Sequence, residues 1–309
     1  MNNVISVIIT TYKRSPNLLK RAILSVIKQT YQSIELLIVD DSPPNFEYRP
    51  EIEDMICQFA DNRLKLIKHP RNYGVSTARN TGIKFAKGAF IAFLDDDDEW
   101  LSEKLQKQIL LMNDSEVGLV YCRRYICNDD TNLKHIHQRK YFSGQVFDEL
   151  ISGNFIGSPS FVLVRRECFD RAGMFNEQMN YSEDFEMWLR IAKEYKICYI
   201  DEPLAIYHVH KLERATLNYN KVIHGMLELN KIHSEYLSCH KHIKSVRLFR
   251  LAICYLLVKK RKKALHTYMS AIRLMPFKIK IIIKYTIKMI VYFNRNDNSG
   301  ESVTSQHNS

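Results

Sequence analysis

The 309-residue sequence lacks the features that mark a secreted, disulfide-bonded or membrane-spanning chain. Its seven cysteines are odd in number and form no Cys-x-x-Cys pair, so neither a disulfide framework nor a thiolate zinc site is predicted. No apolar run approaches the roughly 18–20 residues that span a bilayer. The first apolar run has no basic segment ahead of it, and we expect no signal peptide. A reducing cytoplasm is therefore the expected compartment.

Most of the chain lacks an excess of positive charge, and the excess is concentrated near its C-terminus. Residues 1–220 carry 28 Lys and Arg against 30 Asp and Glu. Residues 221–295 carry 17 Lys and Arg against only two acidic residues, a net charge of +15. Two parts with opposite charge character usually have different partners, so the chain is expected to divide near residue 220.

The first hundred residues alternate strand and helix patterns. Four short apolar runs predict strands: 4–10, 34–41, 64–69 and 90–94. Three segments with helical spacing of apolar residues predict helices between them: 15–29, 50–60 and 75–87. Strands that are apolar on both faces and joined by helices indicate an α/β fold, with a mainly parallel sheet covered by helices on both faces. Residues 117–220 are predicted to add further strands and a helix over 182–195.

Polar residues follow three of these strands where each strand ends. They are Thr10, Thr11 and Tyr12 after the first strand, Asp40 and Asp41 after the second, and Asp95–Asp98 after the fourth. In parallel sheets, ligands bind beyond the carboxyl ends of the strands, near a switch in strand order. We therefore expect these residues to line one site.

The acid run Asp95–Asp98 directly follows the apolar strand 90–94. Four carboxylates repel one another and prefer water to a buried strand, but a divalent cation would neutralise them. Oxygen ligands suit Mg²⁺ or Mn²⁺, which leave coordination positions for substrate phosphates, so Asp-x-Asp at a sheet edge predicts a nucleoside diphosphate site. The simpler interpretation is a helix N-terminus, with Asp98 and Glu99 in the first turn of the helix that follows. Both interpretations can hold together.

Five segments of the sequence resemble the family 2 glycosyltransferases of the GT-A fold. In order, they are VIITTYKR, LLIVDDS, NYGVSTARNTGI, FLDDDDEW and SEDFEMWLR, and the resemblance covers roughly residues 3–212. It implies a Rossmann-like sheet and an inverting transfer of a sugar from a nucleotide-diphosphate donor to an acceptor hydroxyl. The Q-x-x-R-W signature of processive members is missing, which favours transfer of a single sugar.

The resemblance also implies a nucleotide pocket. Thr10, Tyr12 and Asp41 match positions that hold the nucleoside, and Asp40 would support the same pocket. Arg79 matches a basic residue near the base and phosphates, and Asp96 is expected to face the ribose.

The metal ligands and the catalytic base are assigned in the same way. Asp95 and Asp97 are expected to hold Mn²⁺ or Mg²⁺, with Asp97 as the first choice for the direct ligand. His210 matches a histidine close to the metal and diphosphate, but His208 stands where an arginine is common, so the choice between them is open. Asp184 matches the base that takes the proton of the acceptor hydroxyl. The alternative for Asp184 is an ordinary acid at a helix start.

Residues 221–295 are predicted to be helical, with an antiparallel pair joined near 259–263. Lys280, Lys284 and Lys288 form one cationic stripe on the last helix. A basic amphipathic helix with aromatic residues fits an anionic membrane surface. The alternative is packing on the catalytic domain or on a second subunit. No recognition motif accompanies the charge, so nucleic acid is not expected as a partner.

These expectations together describe a catalytic domain over 1–220, with a nucleotide-binding half over about 1–115 and an acceptor half over about 116–220. A basic helical extension over 221–295 and a disordered tail over 296–309 follow. The expected reaction is metal-dependent transfer from a UDP-sugar to a lipid-linked glycan in polysaccharide biosynthesis. The expected location is peripheral, on the inner face of the cytoplasmic membrane.

Three rival functions fit the sequence less well, and the first and third of them stay open as alternatives. A sugar nucleotidyltransferase would need a glycine-rich phosphate loop with a lysine after the first strand, and TTYKRSP has no glycine. A receiver-type signalling module would be shorter and would carry a lysine at a strand end. A non-catalytic, membrane-associated scaffold that binds nucleotide-sugars leaves Asp184 and the Asp-x-Asp unexplained.

Overall fold

A computed structural model of the chain describes residues 4–179, 181–209 and 218–298. The chain divides into two compact units. The first comprises Met1–Leu150, Asn154–Gln178 and Glu183–Lys211, and the second comprises Ile151–Gly153, Met179–Ser182 and Leu212–Ser309. The two are described separately below.

The first unit is built on a mixed sheet. Its strands are β1 (Ile5–Thr11), β2 (Ile34–Asp40), β3 (Leu64–Lys68), β4 (Phe90–Asp95), β5 (Glu99–Trp100), β6 (Val117–Asn128), β7 (Leu133–Ile136), β8 (Val162–Arg165) and β9 (Lys196–Val209). The strand order is β3-β2-β1-β4-β8-β6-β9-β5, and β7 pairs with β6. β1 to β4 are mutually parallel, and β6 is parallel to β9. β8 is antiparallel to both of its neighbours. The predicted α/β class with a mainly parallel sheet is confirmed.

Helices connect the strands of the first unit. They are α1 (Pro16–Ile27), α2 (Arg49–Gln58), α3 (Val75–Phe85), α4 (Lys104–Leu111), α5 (Phe147–Ser152), α6 (Glu167–Ala172) and α7 (Glu183–Glu194). Proline in the first turn of α1 fits the start of a helix, because that turn needs no backbone donor. Leu19, Ile23 and Val26 of α1 are fully buried in the same core as β1 and β2. Truncating one of them to alanine would cost about 2–5 kcal/mol.

The prediction that Asp98 and Glu99 open a helix is wrong. Glu99 and Trp100 form β5, which pairs antiparallel with Ile206 and Ala205 of β9. The Trp100 indole N–H donates to the Ser160 carbonyl oxygen at 2.7 Å, and the helix begins only at Lys104. Pairing with a strand about a hundred residues later overrides the local helix-start signal.

The second unit contains five further helices in the described part of the chain. Its helices are α8 (Tyr219–Ile232), α9 (Ser234–Cys239), α10 (Lys241–Leu257), α11 (Arg261–Leu274) and α12 (Ile279–Asn298). Ser245 bonds to Ala271, and Phe249 contacts Tyr268, so α10 and α11 run antiparallel, as predicted. α12 continues three residues into the segment predicted to be a disordered tail, and 299–309 lie outside the described residues. No helix in the described part of the chain is long and apolar enough to cross a membrane.

Candidate active site

The carboxyl ends of β1, β2 and β4 bring the predicted polar residues together. Thr10 pairs in register with Asp95 of β4, and Thr11 pairs with Asp40 of β2. The strand order 2-1-4 therefore places the β1 end between the two acidic strand ends. The expected convergence of three strand ends is confirmed.

A cavity of about 170 Å³ opens beside the end of β1. Its lining includes three of the predicted nucleotide residues, Thr10, Tyr12 and Asp41, and also Thr11, Asn72, Gly74, Val75 and Ala78. The Tyr12 side chain is 45% exposed, so its ring is available for contact with a ligand. Asn72 and Gly74 were not among the predicted site residues, although the residues Pro-Arg-Asn-Tyr-Gly at 70–74 are typical of a loop after β3.

Asp41 fixes one wall of this cavity. Its carboxylate accepts the backbone N–H groups of Tyr73 and Gly74 at 2.9 and 2.8 Å, and lies 2.7 Å from the His69 Nδ1. Gly74 has a φ of +91°, which a residue with a side chain rarely adopts. Asp41 thus holds the 72–74 turn in place against the N-terminus of α3.

Asp40 lies beneath the cavity and is not part of its lining. It is buried, and it accepts the Arg49 Nε–H at 2.9 Å and the Ser42 backbone N–H at 2.9 Å. Arg49 also donates to the His69 carbonyl oxygen at 3.1 Å. Asp40 therefore connects β2 to α2 and, through Arg49, to the end of β3.

Two members of the acid run, Asp95 and Asp97, are partly exposed. Their side chains are 29% and 26% accessible. Asp95 accepts the Ser158 hydroxyl at 2.7 Å and lies 3.2 Å from an Arg79 nitrogen. Asp97 lies 3.2 Å from an Arg14 nitrogen. These two carboxylates are therefore the most exposed members of the run.

The other two members, Asp96 and Asp98, are buried. Asp96 accepts the Thr11 hydroxyl at 2.7 Å and the Arg14 Nε–H at 2.8 Å. Asp98 accepts the Ser160 hydroxyl at 2.6 Å and the His208 backbone N–H at 3.2 Å. Burial raises the pKa of both carboxyls, and the neighbouring Asp95 and Asp97 charges raise that of Asp98 further. Asp96 and Asp98 thus anchor the acid run to buried neighbours on its inner side.

The donor set at the acid run fits a divalent cation. Asp95 and Asp97 offer hard carboxylate oxygens at the open side, which Mg²⁺ and Mn²⁺ prefer. The guanidinium of Arg14 bridges Asp96 and Asp97 at 2.8 and 3.2 Å, so the run already holds a positive charge there. Arg14 follows β1 in the TTYKR segment. It was not among the predicted site residues, although a cation that directly follows β1 is close to the acids at the neighbouring strand ends.

Of the two histidines considered for the metal, only His208 falls within the described residues; His210 lies outside them. His208 Nδ1 is 2.5 Å from Asp129, and Nε2 is 3.5 Å from Glu99. Metal-capable atoms of Cys127, Asp129 and His208 all lie within 4.8 Å of one another. Arg21 lies 3.4 Å from Asp129, so a cationic side chain already balances that carboxylate.

Arg79 joins the acid run to the helix that carries Asp184. It is buried, and its two terminal nitrogens contact Glu183 at 2.7 Å and Asp95 at 3.2 Å. Glu183 and Asp184 open α7, so the helix turn that carries the expected base and one expected metal ligand, Asp95, lie on either side of the same guanidinium. Burial raises the pKa of Asp184 to about 7; the Glu183 charge adds to the increase, and Arg79 opposes it.

The chain matches one family model and is similar to known glycosyltransferases. The model of "Glycosyl transferase family 2" matches residues 6–173. The Escherichia coli enzyme WfgD, a UDP-Glc:alpha-D-GlcNAc-diphosphoundecaprenol beta-1,3-glucosyltransferase, is 31% identical over 220 residues, which are 71% of this chain and 81% of that protein. Staphylococcus aureus TarS 1–349 in complex with UDP-GlcNAc has a TM-score of 0.66 at 17% identity, over 97% of this chain and 93% of that one.

A second solved structure is similar over most of the chain. The mannosyltransferase PcManGT from Pyrobaculum calidifontis, in complex with GDP-Man and Mn²⁺, has a TM-score of 0.60 at 16% identity, over 95% of this chain and 88% of that one. At these identities the two structures establish likeness of fold.

Proposed function

The chain belongs to glycosyl transferase family 2, and we propose on that basis that it transfers one sugar, with inversion, from a nucleotide-diphosphate donor to an acceptor hydroxyl. The donor is proposed to be a UDP-sugar and the acceptor a lipid-linked glycan in polysaccharide biosynthesis. The similarity to WfgD, whose name specifies a UDP-glucose donor and a diphosphoundecaprenol-linked acceptor, supports both choices.

The position of Arg79 is the observation that carries this proposal. One side chain contacts both Asp95 of the acid run and Glu183, the neighbour of Asp184. A nucleotide in the cavity beside Tyr12 would extend its phosphates towards Asp95 and Asp97. The sugar would then lie between the acid run and Asp184, which is the arrangement that a direct displacement requires.

The residues can perform inversion with a single base. The Asp184 carboxylate takes the proton of the acceptor hydroxyl as that oxygen forms a bond to the anomeric carbon. The bond from the anomeric carbon to the diphosphate oxygen breaks on the opposite face, so the configuration inverts. No covalent intermediate forms, and a second carboxylate of the kind found in retaining glycosidases is not needed.

Asp95 and Asp97 are proposed to hold Mn²⁺ or Mg²⁺. When bound, the ion would neutralise the charge that grows on the departing nucleoside diphosphate. Thr10, Tyr12 and Asp41 are proposed to hold the nucleoside, with Asp40 supporting the pocket. Roles at the ribose for Asp96 and near the phosphates for Arg79 remain predictions, and so does the role of His210 near the metal.

The function is tested by offering the protein UDP-, GDP- and dTDP-sugars with Mn²⁺ and lipid-linked sugar acceptors. The measured quantities are nucleoside diphosphate release and the anomeric configuration of the product. One donor is expected to support acceptor-dependent release with an inverted product. Formation of a nucleotide-sugar from a sugar phosphate and a nucleoside triphosphate would instead identify a nucleotidyltransferase.

The activity is expected to increase with pH up to about pH 7. The base works only when ionised, and burial raises the pKa of Asp184 to about 7. Below that pH, kcat/KM should increase about tenfold per pH unit, as for a single essential ionisation. The raised pKa of Asp184 has the opposite effect on the free energy of unfolding. Protonated Asp184 stabilises the folded protein at low pH, and this stabilisation is lost as the pH increases from about 4 through about 7.

Donor binding is measured over the same pH range as the control. A kcat/KM profile that is flat from pH 5 to pH 8, with constant donor binding, would contradict Asp184 as the titrating base.

The helical unit is proposed to associate with an anionic membrane surface through α12. One stripe of this helix carries isoleucines that are more than half exposed: Ile279, Ile283, Ile287 and Ile290. The lysine stripe lies beside it: Lys280, Lys284 and Lys288. On another face of α12, Tyr285 stacks on Phe249 of α10 with ring centroids 4.8 Å apart, so the helix is packed into its unit. An apolar stripe beside a cationic stripe suits the interface of an anionic bilayer.

Replacing Lys280, Lys284 and Lys288 by glutamine is expected to weaken binding to phosphatidylglycerol vesicles about a hundredfold, at about 1 kcal/mol per lysine. Vesicle co-sedimentation measures it. The matched control replaces Lys221, Lys231 and Lys241, which are exposed lysines of the same unit, and should change binding much less. If both variants lose vesicle binding equally, the binding depends on the total charge of the protein, and α12 is not the binding element.

The proposed domain organisation follows from this division of roles. Residues 1–220 would hold the donor and acceptor sites, with the nucleotide in the first half, and 221–295 would bind the membrane. This assignment would place the protein peripherally on the inner face of the cytoplasmic membrane.

A further inference from the structure

The β6–β7 hairpin and the segment after it concentrate positive charge in the first unit. The cationic and imidazole side chains there are Arg123, Arg124, Lys134, His135, His137, Arg139 and Lys140. Arg123 is neutralised, since it lies 2.9 Å from Asp201. Its neighbour in the sequence, Arg124, lies in a different environment.

Arg124 is buried and forms no ion pair among the described residues, although the charge of Asp98 acts on it from farther away. It is only 7% exposed, and its Nη1 has no hydrogen-bond partner in the described part of the chain. Its Nη2 lies 3.4 Å from His137 Nε2, and the guanidinium lies 4.6 Å from the centroid of the Phe161 ring. By contrast, the buried Arg49 and Arg79 each pair with a carboxylate.

This burial is costly for the charged form, and it lowers the pKa of Arg124. A buried charge normally has a hydrogen-bonded partner of opposite sign, and removing that partner is strongly destabilising. The Nη1 donor of the guanidinium is therefore left without a partner among the residues that the structure describes.

His137 lies against Arg124 and also has a ring nitrogen without a partner among the described residues. Its backbone N–H donates to the Arg124 carbonyl oxygen at 3.0 Å, and its Nδ1 has no partner among the residues described. Burial, and then the charges of Arg124 and Arg139, lower the pKa of His137 to about 3. The imidazole is therefore neutral at physiological pH, and its ring N–H can donate to an anion. Arg139 is anchored by donation to the Asn154 carbonyl oxygen at 2.5 Å.

The segment 154–160 places this group beside the active site. A Cβ added to Gly157 would lie 3.2 Å from Arg124 Nη1, so the backbone passes directly over the guanidinium. The next residue, Ser158, donates to Asp95 of the acid run. The Gly157 carbonyl oxygen accepts the Trp188 indole N–H from α7, the helix that begins with Glu183 and Asp184, at 3.4 Å.

We propose that Arg124, His137 and Arg139 form an anion site that binds the diphosphate of the acceptor. The proposal rests on the proposed sugar transfer and specifies the chemical class of its acceptor. The planar guanidinium fork of arginine matches phosphate oxygens in a bidentate geometry. A diphosphate held at this site would place the sugar attached to it next to the acid run and α7. The donor diphosphate is assigned to Asp95 and Asp97, so the two anions would occupy different groups of residues.

Isothermal titration of inorganic pyrophosphate into the full-length protein tests the site. A chelator is present, so that Asp95 and Asp97 cannot recruit the probe through a metal ion. Arg124→Gln is expected to weaken binding about tenfold or more, as for loss of a charged hydrogen-bond donor. The matched control is Arg123→Gln, which removes the same charge from the adjacent residue of β6 and should change the affinity less than threefold. Equal losses in the two variants would overturn the proposal.

Arg139→Gln provides a second variant if Arg124→Gln does not fold, because Arg139 is exposed. It too should weaken pyrophosphate binding, and an unchanged affinity would count against the site. Glucuronate serves as a carboxylate probe, and binding as tight as that of pyrophosphate would contradict the choice of a diphosphate.

Transfer assays then compare an alkyl diphospho-sugar with the neutral alkyl glycoside of the same sugar. In Arg139→Gln, the KM for the diphosphate acceptor should increase about tenfold, while the donor KM and the rate with the neutral glycoside stay unchanged. Equal effects on both acceptors would overturn the proposal. If the wild-type protein transfers sugar but does not bind pyrophosphate, the proposed anion site is wrong and the proposed transferase function stands. A protein that binds no nucleotide-sugar would overturn that function itself.

Discussion

Replacement of Asp184 by asparagine is expected to slow sugar transfer by about 10²–10⁴-fold, the usual contribution of a positioned general base. Asparagine is nearly isosteric with aspartate but cannot accept the proton of the acceptor hydroxyl. Arg79 would keep its contacts to Glu183 and Asp95, so the link between α7 and the acid run should survive. The rate of transfer and the Kd for the donor are measured separately, and only the rate should change.

Glu194→Gln is the matched control for this variant. Glu194 is exposed at the other end of α7, and its replacement removes one carboxylate from the same helix. It should leave turnover within about twofold, as expected for a surface substitution. Wild-type turnover in Asp184→Asn, with an intact donor Kd, would show that the base lies elsewhere.

Replacement of Asp97 by asparagine is expected to remove the dependence of nucleotide binding on a divalent metal. Asp97 is partly exposed, and Arg14 is the cation beside it, so its carboxylate can reach an ion without breaking the buried part of the acid run. The turnover should fall by about a hundredfold or more, because a metal supplies several kcal/mol of charge stabilisation to the departing diphosphate. UDP titrations with Mn²⁺ and with a chelator measure the dependence directly.

Two comparisons make the Asp97 result specific. Asp54→Asn changes an exposed aspartate of α2 and should keep the wild-type response to Mn²⁺. Asp98→Asn changes a buried carboxyl that bonds to Ser160, so its effect should appear in thermal stability as well. If UDP binds Asp97→Asn as tightly as the wild type, and equally with metal and with chelator, Asp97 is not the ligand.

Local patterns in the sequence were sufficient to predict most elements of the nucleotide-binding half. The apolar run 4–10 and the spacing in 15–29 predict β1 and α1 to within two residues of their observed ends. Each of these patterns is a regular spacing of apolar residues, and that spacing can be read from residues close together in the chain. The same reasoning predicted that Thr10, Asp40 and Asp95 lie together, because parallel strands end at the same edge of a sheet.

Contacts between distant residues could not be predicted in this way. β5 forms at Glu99 and Trp100 because β9 lies beside them, and nothing near residue 99 in the sequence indicates a strand. The link from Arg79 to Glu183 joins residues 104 positions apart and brings the expected base to the acid run. The segments 70–74 and 154–160, which shape the cavity and hold Asp95, likewise depend on partners elsewhere in the fold.

The sequence by itself therefore determined the fold class, the edge of the sheet that carries the site and the residues available for its chemistry. The tertiary structure decided which of those residues face solvent. In the acid run, Asp95 and Asp97 remain accessible, whereas Asp96 and Asp98 are bonded to Thr11 and Ser160 and become buried. Four identical side chains acquire two different roles because burial and hydrogen bonding depend on the surrounding chain, and the identity of a residue does not encode them.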